Sequence, residues 1–278
     1  MLFSQVSFAE NLLGSGKLFL LKTLYACSIF PLRVRYCITD VLSAIAFIVC
    51  TDKCRAVAYN LSLILERKPC KSEIYRVFKE YGRYWAELPD MVHFTKSIPK
   101  YYAGDQFPPK EPNFLGLTFH MGNFEVFGHL LYSTNKSEFN VVAERLRPQS
   151  LADFFTQQRS KYYLKTISHD NPRAVLKTLK QGGALGILCD RQISGKGTEV
   201  SLFGKKVSMP LNLVNYALQS KIPIYIAYCV KENGGIKIAS KRIDETSSFE
   251  NAKEVITSTL ESAARKYPYQ WHVLSPIC

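Results

Sequence analysis

The chain contains 278 residues, and 36 Lys and Arg against 23 Asp and Glu give it a formal net charge of +13. Hydrophobic residues make up 47% and aromatic residues 13% of the chain, which is enough for a sizeable core and excludes a largely disordered protein. The length allows one large α/β domain or two smaller domains. No heptad run and no Gly-X-Y repeat occurs in the sequence, which excludes fibrous folds.

The positive charge favours anionic partners, such as nucleic acid, anionic lipid headgroups or phosphorylated substrates. The basic residues are scattered, and no segment is typical of a helix that reads DNA or a sheet that stacks bases. We therefore predict no nucleic-acid partner. The eight cysteines include no Cys-x-x-Cys pair, which favours reduced thiols in a cytosolic compartment over a disulfide scaffold or a zinc ribbon.

Two apolar stretches open the chain, at residues 18–30 and 41–50. Neither reaches the ~20 residues that a membrane-spanning helix needs, and neither has the pattern of a signal peptide. The stretches fit either two core helices or two helices that lie at a membrane interface. In the second interpretation Lys22, Arg33 and Arg35 would face lipid headgroups.

From residue 72 onward the sequence alternates between helical and strand periodicity. Ser72 is a candidate cap for the first helix of this region, and Asn171 caps a later helix that begins at Pro172. The predicted helices cover 73–88, 122–134, 150–163, 172–181, 209–219 and 249–267. The predicted strands cover 113–120, 139–145, 165–169, 184–190, 199–203, 222–230 and 236–242. Strands that alternate with helices predict an α/β fold with a central, mostly parallel sheet flanked by helices.

In such sheets ligands bind beyond the carboxyl ends of the strands. His120 ends the first predicted strand, Gly122 permits a tight turn, and Glu125 falls in the first turn of the following helix. A neutral imidazole can accept a proton from a hydroxyl near pH 7, while a carboxylate on its other ring nitrogen fixes the tautomer. The alternative is a structural histidine beside a helical glutamate. A metal site through His120, Glu125 and His129 lacks further Cys or His ligands, so we predict no metal.

The context of these residues is more specific than their spacing. Residues 120–125 read His-Met-Gly-Asn-Phe-Glu, which resembles the His-x-Gly-Asn-aromatic-Asp/Glu signature of one bacterial branch of lysophospholipid acyltransferases. That branch contains the lipid A late acyltransferases and the phosphatidylinositol mannoside acyltransferases. Other segments resemble the branch in the same order: 60–61 (NL), 81–88 (YGRYWAEL), 142–145 (VAER), 157–159 (QQR), 189–192 (CDRQ), 199–210 (EVSLFGKKVSMP) and 268–272 (PYQWH). The sequence departs from the branch at His272, where Trp is common.

The resemblance implies acyl transfer from an acyl thioester, on acyl carrier protein or coenzyme A, to a hydroxyl of a membrane glycolipid such as a lipid A precursor. No cofactor is implied beyond the donor substrate. His120 would act as general base and Glu125 would orient it, a contribution of about 10²–10⁴-fold in rate. The turn at 120–125 contains no Ser, Cys or Thr, which favours direct transfer over a covalent acyl-enzyme.

The same resemblance implies substrate-binding or site-shaping roles for Asn123, Glu144, Arg159 and Glu199. Arg145 is a local addition whose guanidinium suits a phosphate or a carboxylate. For each arginine the alternative is a structural or surface ion pair. We expect Asp190 to brace a strand end rather than to take part in the reaction.

The resemblance also favours the membrane interpretation of the N-terminus. We predict a membrane-associated helical segment at residues 1–55, an acyltransferase domain of the glycerolphosphate-acyltransferase-like type at 56–278, and a location on the cytoplasmic face of a bacterial inner membrane, against its anionic surface. Two alternatives remain. One is a glycerophospholipid acyltransferase, although the Phe-Pro-Glu-Gly block of that branch is absent from the sequence. The other is a basic membrane-binding protein without catalytic activity.

Overall fold

The structure is a computed structural model that describes residues 16, 18–105, 107–135, 138–144, 146–161, 163–192 and 197–278, with the backbone only at 134 and 135. Helices make up the described part of the chain before residue 98, and strands are interspersed with helices from residue 100 onward. The helices are α1 (Leu18–Ile29), α2 (Leu32–Val49), α3 (Thr51–Leu65), α4 (Lys71–Glu87), α5 (Met91–Ser97), α6 (Val126–Asn135), α7 (Gln149–Ser160), α8 (Pro172–Lys180), α9 (Asn212–Gln219) and α10 (Phe249–Lys266). The strands are β1 (Lys100–Gly104), β2 (Leu115–Thr118), β3 (Phe139–Ala143), β4 (Leu164–Ser168), β5 (Leu185–Leu188), β6 (Thr198–Leu202), β7 (Lys205–Met209), β8 (Ile224–Glu232) and β9 (Gly235–Ile243).

Seven strands form one sheet in the order β1-β9-β8-β2-β5-β3-β4. All neighbouring pairs are parallel except β8 and β9, which pair antiparallel across a tight turn. Strands β6 and β7 form a separate antiparallel hairpin. The predicted α/β fold with a mostly parallel sheet flanked by helices is therefore confirmed.

Alternate residues of the central strands face two different apolar layers. On β8, Ile224 and Ile226 join the cluster that includes α9 and α10, whereas Ala227 joins a cluster with residues of α4, α5 and α6. On β2, Leu115 and Leu117 belong to the first of these layers. The sheet is thus covered on both faces, which explains why β5 and β8 are apolar almost throughout.

The N-terminal helices pack on the domain through one face of α2. Arg35, Thr39 and Ser43 are buried there, and the Ser43 hydroxyl donates a hydrogen bond to the carbonyl oxygen of Phe78 on α4 at 3.0 Å. The two helices can approach this closely because α4 has Gly82 at the crossing, where a Cβ would run into the Ser43 hydroxyl. The predicted domain division after residue 55 falls within α3 and stays a prediction.

No single helix within the described ranges is long and apolar enough to cross a membrane. Helices α2 and α3 meet that criterion of length and composition only as a pair, and the pair is bent by 95°. The membrane-facing role of the N-terminal helices stays a prediction.

Several details differ from the sequence-based expectations. Helix α4 begins at Lys71, so Cys70 rather than Ser72 is its cap residue, and the Cys70 backbone N–H donates to the Glu73 carboxylate at 2.9 Å. Asn171 caps α8 as predicted, since its side chain accepts a hydrogen bond from the Ala174 N–H. Strand β1 was not predicted. Its tyrosines are exposed at the edge of the sheet, so its burial pattern lacks the alternation that marks a half-buried strand.

Candidate active site

The turn after β2 is shaped by backbone contacts to other strands. Gly122 has φ +55°, and a Cβ at this position would run into the carbonyl oxygen of Cys229 on β8. Only glycine fits without strain in this left-handed conformation so close to another backbone. The turn therefore lies tightly against the end of β8. Glu125 precedes α6, which begins at Val126, so its predicted place in the first turn of the helix was wrong.

Asp190 is the carboxylate that contacts the ring of His120. Its Oδ1 lies 2.7 Å from Nδ1 of His120, and its Oδ2 accepts the His120 backbone N–H at 2.9 Å. Strands β2 and β5 are parallel neighbours, which brings their carboxyl ends, and hence these two residues, together. We predicted that the carboxylate of Glu125 would contact the imidazole of His120 and orient it. The structure corrects this prediction, since the carboxylate at the ring belongs to Asp190. Asp190 does brace the strand end, as predicted, but it also holds the imidazole.

Asp190 is buried and ionised. Burial alone would raise its pKa, but the electrostatic interaction with His120 and the hydrogen bonds from His120 and Trp271 outweigh that effect and hold the pKa of Asp190 below its ordinary value. The His120 side chain is 23% exposed, so it can be reached from solvent. Among the described residues its ring forms its hydrogen bond through Nδ1, which leaves Nε2 as the nitrogen available to a ligand.

Glu125 instead forms an ion pair with Arg159 of α7. Its Oε1 accepts hydrogen bonds from Nη2 of Arg159 at 2.9 Å and from Nε at 3.1 Å. Both side chains are largely buried. Burial disfavours the charged guanidinium, but the Glu125 carboxylate more than compensates and raises the pKa of Arg159. The structure therefore brings together two of the residues predicted for the site, although as partners of each other.

Residues 270–272 hold the turn and Asp190 in place through hydrogen bonds. The indole N–H of Trp271 donates to Oδ2 of Asp190 at 2.7 Å, and the His272 backbone N–H donates to the carbonyl oxygen of His120 at 2.7 Å. The carbonyl oxygen of Gln270 accepts the Gly122 N–H at 2.8 Å. Nε2 of His272 lies 3.1 Å from the Gly122 carbonyl oxygen, and burial, assisted by the charge of Lys231, lowers the pKa of His272 to about 3. A neutral His272 thus donates its Nε2 hydrogen to the turn.

Asn123 lies within the turn, and its side chain points inward, towards α4. It is 1% exposed, and its Nδ2 donates to the Glu87 carboxylate at 2.7 Å. Helix α4 and the turn cover the amide, and the substrate-binding role predicted for Asn123 stays a prediction. Glu87 was missed by the sequence analysis, and only its place in the segment 81–88 that resembles the family pointed to it.

The remaining predicted residues lie at different distances from this centre. Glu144 follows β3 and pairs with Arg191 at 3.1 Å, at the same edge of the sheet as His120. Glu199 lies on β6, where it is exposed and pairs with Lys206 across the hairpin at 2.9 Å. Among the described residues it contacts neither His120 nor Glu125. Arg145 lies outside the described residues. The described ranges contain no group of three His, Cys, Asp or Glu side chains placed to hold a metal ion.

A narrow apolar cavity of about 80 Å³ lies between the sheet and α6. Its floor is the glycine pair Gly116 and Gly186, which are register partners on β2 and β5 and leave the sheet surface without side chains. Glu125 and Arg159 line one part of the cavity. Aromatic and aliphatic side chains supply the rest of the wall, including Phe107, Phe114, Phe124, Phe139, Leu164 and Tyr225.

These features define a class of protein: an α/β fold that places a histidine–carboxylate pair at the carboxyl edge of its sheet, next to a narrow apolar cavity. Comparison with known proteins specifies the class further. The model of the bacterial lipid A biosynthesis acyltransferase family matches residues 14–277. The chain therefore belongs to this family of acyltransferases, and the resemblance seen in its motifs is confirmed.

Curated relatives agree with this family. The chain is 26% identical over 214 residues to a phosphatidylinositol mannoside acyltransferase of Mycobacterium tuberculosis (strain CDC 1551 / Oshkosh), a match that covers 71% of this chain and 67% of the relative. It is 23% identical over 241 residues to a phosphatidylinositol mannoside acyltransferase of Mycolicibacterium smegmatis, which covers 78% of this chain and 77% of the relative. A role in lipid or glycolipid metabolism follows from these matches.

Proposed function

We propose that this acyltransferase moves a fatty acyl chain from an acyl thioester to a hydroxyl of a membrane glycolipid, with His120 as the general base. The observation that carries the proposal is the contact between His120 and the buried Asp190 at 2.7 Å, beside a cavity lined by apolar side chains. The carrier of the thioester is acyl carrier protein or coenzyme A.

The proposed step balances without a covalent enzyme intermediate. Asp190 accepts the Nδ1 hydrogen of His120, so the lone pair of Nε2 faces the acceptor hydroxyl and takes its proton. The hydroxyl oxygen forms the ester bond to the acyl carbon as the carbon–sulfur bond breaks. The proton then passes from Nε2 to the leaving thiolate. Because a thiol has a pKa of about 8.5, the thiolate leaves with little assistance.

The apolar cavity suits the acyl chain of the donor. Thr118 and Val142 line it towards the carboxyl ends of their strands, near His120, and Phe114 and Phe139 line it towards the amino ends. Four residues of a β-strand span about 13 Å, so the cavity extends a comparable distance along β2. A chain bound there would present its carbonyl carbon at the edge of the sheet where the imidazole lies.

Glu125 acts in this proposal through Arg159. The Glu125 carboxylate fixes the guanidinium against the wall of the cavity, at the end where the acyl carbonyl would lie. An oriented guanidinium can stabilise negative charge that develops on that oxygen during transfer. Glu144 remains a candidate for acceptor binding, since it is half-exposed at the same edge. Among the described residues, no contact supports such a role for Glu199.

A second, polar cavity of about 330 Å³ lies on the other side of Asp190. Arg191 and Lys206 contribute positive charge to its wall, and Ser208 and Ser275 contribute hydroxyls. Both candidate carriers bear a phosphorylated pantetheine arm. The positive charge of Arg191 and Lys206 complements that phosphate, so we propose this cavity as its binding site.

The acceptor belongs to a membrane, and the outer face of α2 suits contact with one. Large apolar side chains are exposed along it, including Val41, Ile45 and Ile48, and the last of these is 74% exposed. Such a face, on a protein of net charge +13, is typical of binding at an anionic lipid surface. We therefore propose a peripheral location on the cytoplasmic face of a bacterial inner membrane.

A transfer assay tests the proposal. Acyl thioesters of acyl carrier protein and of coenzyme A, labelled in the acyl chain, are each incubated with three acceptors. The acceptors are a lipid A precursor, a phosphatidylinositol mannoside of the kind that appears in the names of the relatives, and lysophosphatidic acid. His120→Ala should abolish labelling, whereas His93→Ala, which removes an exposed histidine of α5, should retain it. Labelling of lysophosphatidic acid alone would favour a glycerophospholipid acyltransferase. Folded, vesicle-bound protein that labels no lipid from either donor would overturn the proposal.

A further inference from the structure

A buried charged cluster lies directly beneath the turn that carries His120, and the proposed mechanism does not use it. Glu87, the last residue of α4, is fully buried. Its Oε1 accepts hydrogen bonds from the Tyr36 hydroxyl at 2.7 Å and from Nζ of Lys231 at 3.1 Å, and its Oε2 accepts one from Nδ2 of Asn123 at 2.7 Å. This carboxylate thus joins α2, the end of β8 and the turn after β2.

The charge of Glu87 is matched by Lys231. Nζ of Lys231 lies 3.1 Å from both Glu87 and Glu80, which are two helical turns apart on α4. Burial opposes the charged amine, but the two carboxylates more than compensate and raise the pKa of Lys231. A buried carboxylate is costly unless such partners satisfy it, so the cluster holds its members in fixed positions.

Asn123 connects the cluster to the histidine. It lies three residues after His120, within the turn in which Gly122 adopts its left-handed conformation. Because a carboxylate only accepts hydrogen bonds, Glu87 determines which way the Asn123 amide points. Oδ1 of Asn123 is buried and has no hydrogen-bond partner among the described residues, so the contact with Glu87 is the one that orients the amide.

We infer that Glu87 is a positioning residue for His120, which acts through the hydrogen bond to Asn123 and fixes the turn on which the imidazole is carried. The inference rests on the proposed function of His120. It also assigns the Asn of the His-Met-Gly-Asn-Phe-Glu segment an inward, structural contact that serves the reaction. A displacement of about 1 Å in a catalytic group can cost about 10²-fold in rate.

The contact can be tested by changing its polarity. Asn123→Asp places two carboxylates face to face, and their repulsion should displace the turn and lower kcat by about 30-fold or more. Glu87→Gln alone allows the Asn123 amide to turn over and keep one hydrogen bond, so a smaller loss of about threefold to tenfold is expected. The double variant Glu87→Gln/Asn123→Asp restores a donor facing an acceptor, and its kcat should return to the level of Glu87→Gln.

Glu80→Gln supplies the matched control. It removes a carboxylate from the same helix and the same lysine, but Glu80 has no hydrogen bond to Asn123 among the described contacts. Glu80→Gln should leave kcat within about threefold of the original and should not rescue Asn123→Asp. Equal rescue by Glu80→Gln, or an Asn123→Asp variant that keeps its kcat within about threefold, would overturn the inference.

Hydrogen exchange at the backbone amides of residues 119–125 gives a second measurement that does not depend on turnover. Exchange should rise in Asn123→Asp and return towards the original rate in the double variant with Glu87→Gln. If the unsubstituted protein transfers no acyl group while exchange follows this order, the proposed function fails and the role of Glu87 in fixing the turn stands. Exchange unchanged in Asn123→Asp, measured on folded protein, would remove the structural basis of the inference.

Discussion

Asp190 holds His120 at two points, since one carboxylate oxygen lies 2.7 Å from Nδ1 of the ring and the other accepts the backbone N–H of the same residue at 2.9 Å. The indole of Trp271 donates to the second oxygen and completes its hydrogen bonds. Ring and backbone of the histidine are thus fixed by one buried charge. In the proposed mechanism, the tautomer that leaves Nε2 unprotonated depends on that charge.

Asp190→Asn tests this dependence. The amide can still accept from Trp271, but its NH₂ would face Nδ1 and favour the tautomer with the proton on Nε2. We expect kcat to fall by about 10²–10⁴-fold with little change in thermal stability. Steady-state kinetics and calorimetry on the same preparation would show this. A variant that keeps a tenth or more of the original kcat would contradict the proposed role of Asp190.

The ion pair between Glu125 and Arg159 should be visible in stability measurements. Glu125→Gln leaves a largely buried guanidinium without its partner, and we expect the free energy of unfolding to fall by about 3 kcal/mol. The double variant Glu125→Gln/Arg159→Met should recover most of that loss, because no buried charge remains unpaired. Urea denaturation of the two single variants and the double variant forms the thermodynamic cycle. Additive losses would mean that the pair is not coupled.

The length of the transferred chain should respond to the far end of the apolar cavity. Phe139→Leu shortens a side chain at that end, so the preferred acyl chain should become longer. Gly186→Ala acts in the opposite sense, since its Cβ would run into the Phe139 ring and push it into the cavity. Competition between thioesters of different lengths measures the shift. Ile256→Val, a truncation in the core cluster around α10, should leave the preference unchanged.

Membrane binding should depend on the exposed face of α2. Ile45→Glu and Ile48→Glu place charges on this face without disturbing the packed side of the helix, so vesicle binding should weaken about tenfold or more while the fold is retained. Tyr102→Glu alters a comparably exposed side chain on β1 and should bind as the original does. Flotation with anionic vesicles at low and high salt provides the measurement. Binding that is insensitive to salt would show that hydrophobic insertion outweighs charge.

Acid should destabilise the protein through His272. Its folded-state pKa of about 3 lies below the ordinary value of 6.5, so the unfolded chain binds the proton more readily between these two values. Stability from this group is complete above about pH 6.5 and declines as the pH falls towards 3. At pH 4.5 the loss should be about 3 kcal/mol. His272→Gln keeps an N–H donor without titrating, so denaturation curves at pH 4.5 and 7.5 should show a correspondingly smaller pH dependence.

Much of the fold follows from local patterns. The apolar run at 184–189 indicates a strand covered on both faces, and Asn171-Pro172 marks a helix start through the capping ability of one residue and the fixed φ of the next. The hairpin partner β7 was missed because its sequence, Lys205–Met209, has only two buried side chains and a lysine pair that suggests a solvated turn. Local patterns cannot show which strand such a segment pairs with.

The partners of the site residues could not be predicted from spacing along the chain. Glu125 lies five residues from His120 in the sequence, yet Asp190 reaches the ring because β2 and β5 are neighbours in the sheet. Strand order is a property of the whole fold. Similarly, the amide of Asn123 is an ordinary polar group in the sequence, and only the packing of α4 under the turn shows that it faces inward.

The turn that carries His120 has its supporting contacts far away along the chain. Glu87 lies 36 residues before its partner Asn123. Asp190 lies 70 residues after its partner His120, and His272 lies 150 residues after its partner Gly122. Closing loops of this size is entropically costly and slow, so the site should form late in folding, after the sheet has assembled. Local opening of residues 270–272 would release the turn while the core remains folded. Activity should then disappear at a lower denaturant concentration than the ellipticity of the sheet and helices.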